Sequence, residues 1–185
     1  MIKRNFLLIT FGIILAFVND SGYMSISAAT EPQHEFVGVS KCSLCHKKED
    51  IGEQYRIWQE SKHSKAFEVL GTPEAKEIAA KQGIDNPQTS GKCLKCHSTA
   101  YWFSENKVTQ NILPEEGISC ETCHGAGKDY MKKSVMQDKD AAIAAGLIIP
   151  DEKVCMQCHN EQSPNYKPFD YKVMEEKIKH PIPKK

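Results

Sequence analysis

Cys42-Ser43-Leu44-Cys45-His46 opens a pattern that the chain repeats three more times. The other copies are Cys93-Leu94-Lys95-Cys96-His97, Cys120-Glu121-Thr122-Cys123-His124 and Cys155-Met156-Gln157-Cys158-His159. All eight cysteines fall in these copies. C-x-x-C-H is the attachment pattern of c-type haem: each thiol adds to one vinyl group, and the next His lies under the iron as its proximal ligand. The chain is therefore expected to carry four covalent haems. Cys42, Cys45, Cys93, Cys96, Cys120, Cys123, Cys155 and Cys158 would attach them, and His46, His97, His124 and His159 would bind iron.

Rival readings of paired cysteines explain less. Two C-x-x-C pairs could make a four-thiolate zinc site, but zinc does not require His after every second Cys. With His at 7 of 185 positions, four chance hits have a probability on the order of 10⁻⁶. A thioredoxin-like motif would occur once, beside a βαβ pattern. Disulfide pairing would leave the four histidines without a role.

Residues 1–29 read as a secretory signal. Lys3 and Arg4 form the charged start, Phe6 to Val18 the apolar stretch, and Ser27-Ala28-Ala29 the small residues before a cleavage site. The apolar run is about 13 residues, where a spanning helix needs about 20. Residues 30–185 are then the tetrahaem domain, with no stable membrane insertion after cleavage and a periplasmic or extracellular location. Haem attachment outside the cytoplasm agrees with that. Removing the leader takes Lys3, Arg4 and Asp20 and leaves 22 basic and 23 acidic residues, a balance that gives no reason to expect nucleic-acid binding.

The mature chain offers about 39 residues per haem, too few to wrap each porphyrin separately. The expected fold is mainly α: a small irregular multihaem cytochrome c fold, with helices and loops wrapped around four packed haems. Apolar periodicity predicts a helix over 49–70, with Ile51, Tyr55, Trp58, Ala66 and Leu70 on one face and His63 at its edge. Thr72-Pro73 opens a second helix that Gly83 ends. Residues 84–92 read as loop, and Tyr101-Trp102-Phe103 as an aromatic cluster against a haem. Asp138 to Ala145 reads as a short helix closed by Gly146. Asp170 caps a last one with a Tyr171, Met174, Ile178 stripe, and Pro181 follows His180. The motifs begin 51, 27 and 35 residues apart, so no solenoid repeat is implied.

Four proximal histidines leave His34, His63 and His180 as candidate distal ligands. Three cannot complete four bis-imidazole irons. One iron is then five-coordinate, bound by Met, or open to an outside ligand; Met131, Met136, Met156 and Met174 are within reach in sequence.

These residues resemble the tetrahaem cytochrome c-554 family. The resemblance is carried by Phe36-Val37-Gly38 leading into Lys41 to Lys47, by Trp58-Gln59-Glu60-Ser61-Lys62-His63-Ser64-Lys65-Ala66-Phe67, by Gly117 to Gly127, and by the last motif with its trailing helix and His180. It implies stacked and near-perpendicular haem pairs, His63 opposite His159, His180 opposite His124, and a five-coordinate haem on His97. In that family the first haem takes its distal His from the stretch after the third motif. Here Lys128 to Gly146 contains no His. His34 is the first choice opposite His46, with Met136 or Met131 behind it.

Three functions follow. The first is an exported cytochrome carrying electrons between redox partner proteins in respiration. The second is a haem enzyme reducing a small nitrogen oxide at the five-coordinate iron. The third is a subunit of an extracellular cytochrome filament. Electron carriage ranks first, because the motifs demand nothing more and no separate catalytic constellation is present. Oligomeric state is not legible in the sequence.

Overall fold

A computed structural model describes residues 34–102 and 112–182. Among these residues there are helices and loops and no strand. The predicted leader lies outside the described residues, as does Phe103. No helix among the described residues is long and apolar enough to cross a membrane.

The helices are α1 (Val39–His46), α2 (Gln54–Glu60), α3 (Ala66–Val69), α4 (Pro73–Lys81), α5 (Gly91–His97), α6 (Thr99–Trp102), α7 (Cys120–His124), α8 (Lys133–Met136), α9 (Lys139–Ala144), α10 (Glu152–Met156) and α11 (Tyr171–Glu175). The longest has nine residues. Isolated helices under about 12–15 residues are marginal in water, so local caps and tertiary contacts must hold these. Four of them carry a side-chain cap, and two of these caps, Thr72 and Asp170, the sequence predicts. Thr72 accepts from the Ala75 N–H with Pro73 next in line. Asp138 accepts from Asp140 and Ala141, Asp151 from Lys153 and Val154, and Asp170 from Val173.

The helix predicted over 49–70 is broken into a 3₁₀ turn (Glu49–Ile51), α2 and α3. His63 lies in the turn between α2 and α3, not on a helix face. Tertiary bonds compete successfully with helix propagation here. The His63 carbonyl accepts from the Ile118 N–H at 2.9 Å, and Trp58 Nε1 donates to the Ile118 carbonyl at 2.8 Å. Ser64 Oγ donates to Gln59 O and Ser61 O, closing the turn. Gly117 lies against this turn at φ +62°; a Cβ there would be 2.6 Å from the His63 carbonyl. Both the left-handed φ and the close approach require glycine.

The apolar core is thin. Val37, Leu70, Ile112, Ile118 and Tyr130 are buried with four alanines and Val39, while Leu44, Leu113, Val173 and Ile182 are more than half or half exposed. The most buried large side chain is a charged one, Glu121 of the third motif, 2% exposed. Its carboxylate accepts from the N–H groups of Val37, Gly38 and Gly127 at 2.6–3.2 Å. It thereby ties the segment leading into α1 to α7 and the loop behind it, and α1 packs on α7 and on α2. Burial pushes the Glu121 pKa above the ordinary carboxylate value, opposed by those three bonds. Glu116, half-buried and accepting from the Val39 N–H, is raised by the same cause.

Candidate haem sites

Three of the C-x-x-C-H motifs lie wholly on helices, α1, α5 and α7, so in each the two thiols and the His share one face at i, i+3 and i+4. His46, His97 and His124 are the last residues of α1, α5 and α7, whereas α10 stops at Met156 and His159 follows in a turn. No cysteine is in a disulfide. The motifs meet in twos. The Cys120 thiol beside it, together with burial, pushes the Cys42 thiol well up. Cys96 and Cys158 likewise act on each other, pulling Cys96 down to about 7 and Cys158 up. Burial and the nearby Cys155 push Cys123 up to about 11. Among the described residues no group of three or more His, Cys, Asp or Glu side chains converges as a bare metal ion would need.

The ring nitrogens are sorted for metal binding. His97 Nδ1 is 2.7 Å from Ala66 O and His124 Nδ1 is 3.1 Å from Ile148 O. A carbonyl only accepts, so Nδ1 carries the proton in both and Nε2 keeps its lone pair. His46 Nδ1 meets Gln54 Oε1 at 3.1 Å. His159 is held by its ring face, stacked on Phe169 with centroids 4.6 Å apart and planes 16° from parallel. Burial pulls the pKa values of His63, His124, His159 and His180 below the ordinary imidazole value, with His159 adding to the effect on His63. The neutral ring, the form that binds a metal, is thereby favoured.

Two of the spare histidines face motif histidines. The ring centroids of His63 and His159 are 6.0 Å apart, and those of His124 and His180 are 5.8 Å apart. Two imidazoles on one metal, each bonded at about 2.0 Å, would have centroids about 6.3 Å apart. Both pairs come within a few tenths of an ångström of that distance, so the residues present fit a six-coordinate iron between each pair. His180 arrives at its partner from five residues beyond the end of α11, whose Tyr171 and Met174 are half-buried with Ile178 while their neighbours are exposed.

His34 is placed differently. Its Nδ1 is 2.7 Å from Asp129 Oδ2, and its ring packs on Gly146, where a Cβ would be 2.7–3.0 Å from three ring atoms. Gly146 has φ +98° and closes α9. Among the described residues no imidazole pair joins His34 to His46, and none faces His97. Tyr101 packs its hydroxyl against Gly91 at the start of α5, where any side chain would overlap it.

Sequence reasoning passed over Gln54, Glu121, Asp129 and Phe169. Glu121 carried a signal: a carboxylate inside an attachment motif, followed by Gly125 and Gly127, whose N–H groups can approach closely. Asp129 acts on His34, 95 residues away, while Gln54 and Phe169 act on motif histidines eight and ten residues away at spacings that mark no pattern.

Paired thiols beside neutral, oriented imidazoles are the arrangement of a c-type cytochrome. Residues 41–125 match the family of cytochrome c554 and c-prime. The matched stretch runs from the first motif to the third. No curated protein and no solved structure matches the chain.

Proposed function

We propose that the protein is an exported tetrahaem cytochrome that passes electrons between redox partner proteins in respiration. The carrying observation is the approach of His63 to His159 and of His124 to His180 at separations that suit one iron each. Two six-coordinate irons with neutral imidazoles on both sides offer no open position for substrate, and suit reversible one-electron transfer. Cys42 and Cys45 with His46, Cys93 and Cys96 with His97, Cys120 and Cys123 with His124, and Cys155 and Cys158 with His159 would hold the four haems. The chain supplies ligand nitrogens, fixes ring tautomers through Nδ1 and brings the attachment sites into contact, Cys42 to Cys120 and Cys96 to Cys158. His34 is assigned to the iron on His46: its Nδ1–H donates to Asp129, which leaves Nε2 for metal, as carboxylate–His–metal arrangements do.

The exported holoprotein should weigh about 2.5 kDa more than the polypeptide of residues 30–185. A mass matching fewer haems, or bound zinc, refutes the stoichiometry. Reduction and reoxidation without turnover of a small substrate distinguishes a carrier from an enzyme.

A second reading is supported by His97, which no described imidazole faces. An iron there is five-coordinate and open to nitric oxide or another small nitrogen oxide. About a quarter of the ferric haem should then be high spin and bind nitric oxide or cyanide. A fully low-spin resting protein rules this reading out.

A further inference from the structure

His46 is held unlike its counterparts. His97 and His124 give Nδ1 to main-chain carbonyls, which no substitution of a side chain removes. His46 gives Nδ1 to the side chain of Gln54, 3.1 Å away. Gln54 is itself buried, 7% exposed. Its Nε2 is 2.6 Å from Ile51 O and 2.9 Å from Pro181 O.

These contacts allow one arrangement of protons. Carbonyl oxygens only accept, so the amide NH₂ must face Ile51 and Pro181, and both its hydrogens are used. Oε1 is then the atom left for His46, and it too only accepts. The His46 Nδ1 must carry the proton, and Nε2 must carry the lone pair. Two backbone carbonyls thus fix the amide, and the amide fixes the imidazole. Pro181 directly follows His180, so the same amide holds the segment that brings His180 to His124. The fit is close: a Cβ on Gly52 would be 3.0 Å from both Gln54 Nε2 and Pro181 Cβ, at φ +108°.

We propose that Gln54 is a positioning residue for two iron centres. It sets the ring and tautomer of His46, and it pins the chain at Pro181 so that His180 meets His124. The inference rests on the haem reading proposed above. A partner that draws on the Nδ1 proton makes the ring a stronger donor to its metal, so the potential of the haem on His46 depends on Gln54.

Two variants separate positioning from packing. Gln54→Glu keeps an acceptor toward His46, strengthens it with charge, and loses both donors. Gln54→Leu keeps much of the volume and loses acceptor and donors alike. In spectropotentiometric titrations of the full exported holoprotein, one of the four midpoints should fall in Gln54→Glu and rise in Gln54→Leu. Both variants should also show new high-spin ferric haem as the Pro181 anchor is released and His180 loosens. A purely structural role would shift the midpoint the same way in both. Shifts of one sign, or wild-type midpoints in variants whose mass shows four haems, overturn the proposal. A wild-type mass without four haems would instead overturn the haem reading. If neither variant matures, wild-type protein labelled with ¹⁵N-histidine decides: a His46 Nδ1 without a proton refutes the assignment, and a protonated one upholds it.

Discussion

Replacing Glu121 should destabilise the protein more than replacing any surface carboxylate. The side chain is 2% exposed, and Glu121→Ala removes the acceptor of three main-chain donors: Val37, Gly38 and Gly127. A buried donor left without a partner costs about 1–3 kcal/mol, so three give roughly 3–9 kcal/mol. Water entering the vacated space recovers part, leaving a loss of about 4 kcal/mol. Small proteins have about 5–15 kcal/mol in all. With a guanidinium dependence of about 4 kcal/mol per molar, the unfolding midpoint of the ferric holoprotein should fall by about 1 M. Glu121→Gln retains one oxygen but turns an NH₂ toward Gly38 or Gly127, so about 2 kcal/mol is expected. Far-UV circular dichroism in guanidinium reads both. An alanine variant whose midpoint stays within about 0.3 M of wild type would refute the clamp, given that slope.

Other predictions concern ligands and pH. His63→Ala and His180→Ala should each convert one low-spin ferric haem to high spin, seen by electron paramagnetic resonance; wild-type spectra in both would overturn the pairing. His34→Ala should create one further high-spin haem, and Asp129→Asn should weaken that ligand without removing it; an unchanged His34→Ala spectrum would assign the iron on His46 to another ligand. Gly117→Ala should push the His63 turn outward, because a Cβ there lies 2.6 Å from the His63 carbonyl; loss of one low-spin signal checks this. Burial raises the pKa values of Glu116 and Glu121 above 4.5. The folded state then binds more protons than the unfolded one in the window above 4.5, so stability should fall as pH rises through it. Glu121→Gln should flatten that slope; an unfolding midpoint that rises across the same window would reverse the sign and refute it.

Local chemistry was legible in the sequence. The caps at Thr72 and Asp170 act on backbone three residues away, and both form as the residues predict. The helical character of the chain and its likeness to the cytochrome c554 and c-prime family over residues 41–125 were equally plain, because the motifs carry both. The stretch 49–70 was read as one helix because its apolar residues keep a 3.6 period. What breaks it is Ile118, more than fifty positions away, which claims the His63 carbonyl. Gln54 was invisible for the same reason: its partners include Pro181, 127 residues distant. Spacing along the chain reports what neighbours can do for each other, and not which distant carbonyl arrives to compete.

The shortness of the helices bears on how such a chain is made. Among the described residues nine is the longest run available to hold itself together, and the core they form is mostly small side chains. A newly made chain with no porphyrin attached is then expected to be a floppy polymer, with its thiols open to whatever machinery loads them and to proteases alike. Maturation becomes a race between ligation and digestion, and a chain that loses it is cleared instead of accumulating as a half-built conductor. Substituting serine for all eight cysteines should abolish far-UV helicity and shorten the lifetime of the exported chain. A stable, helical cysteine-free chain would show that the polypeptide folds by itself.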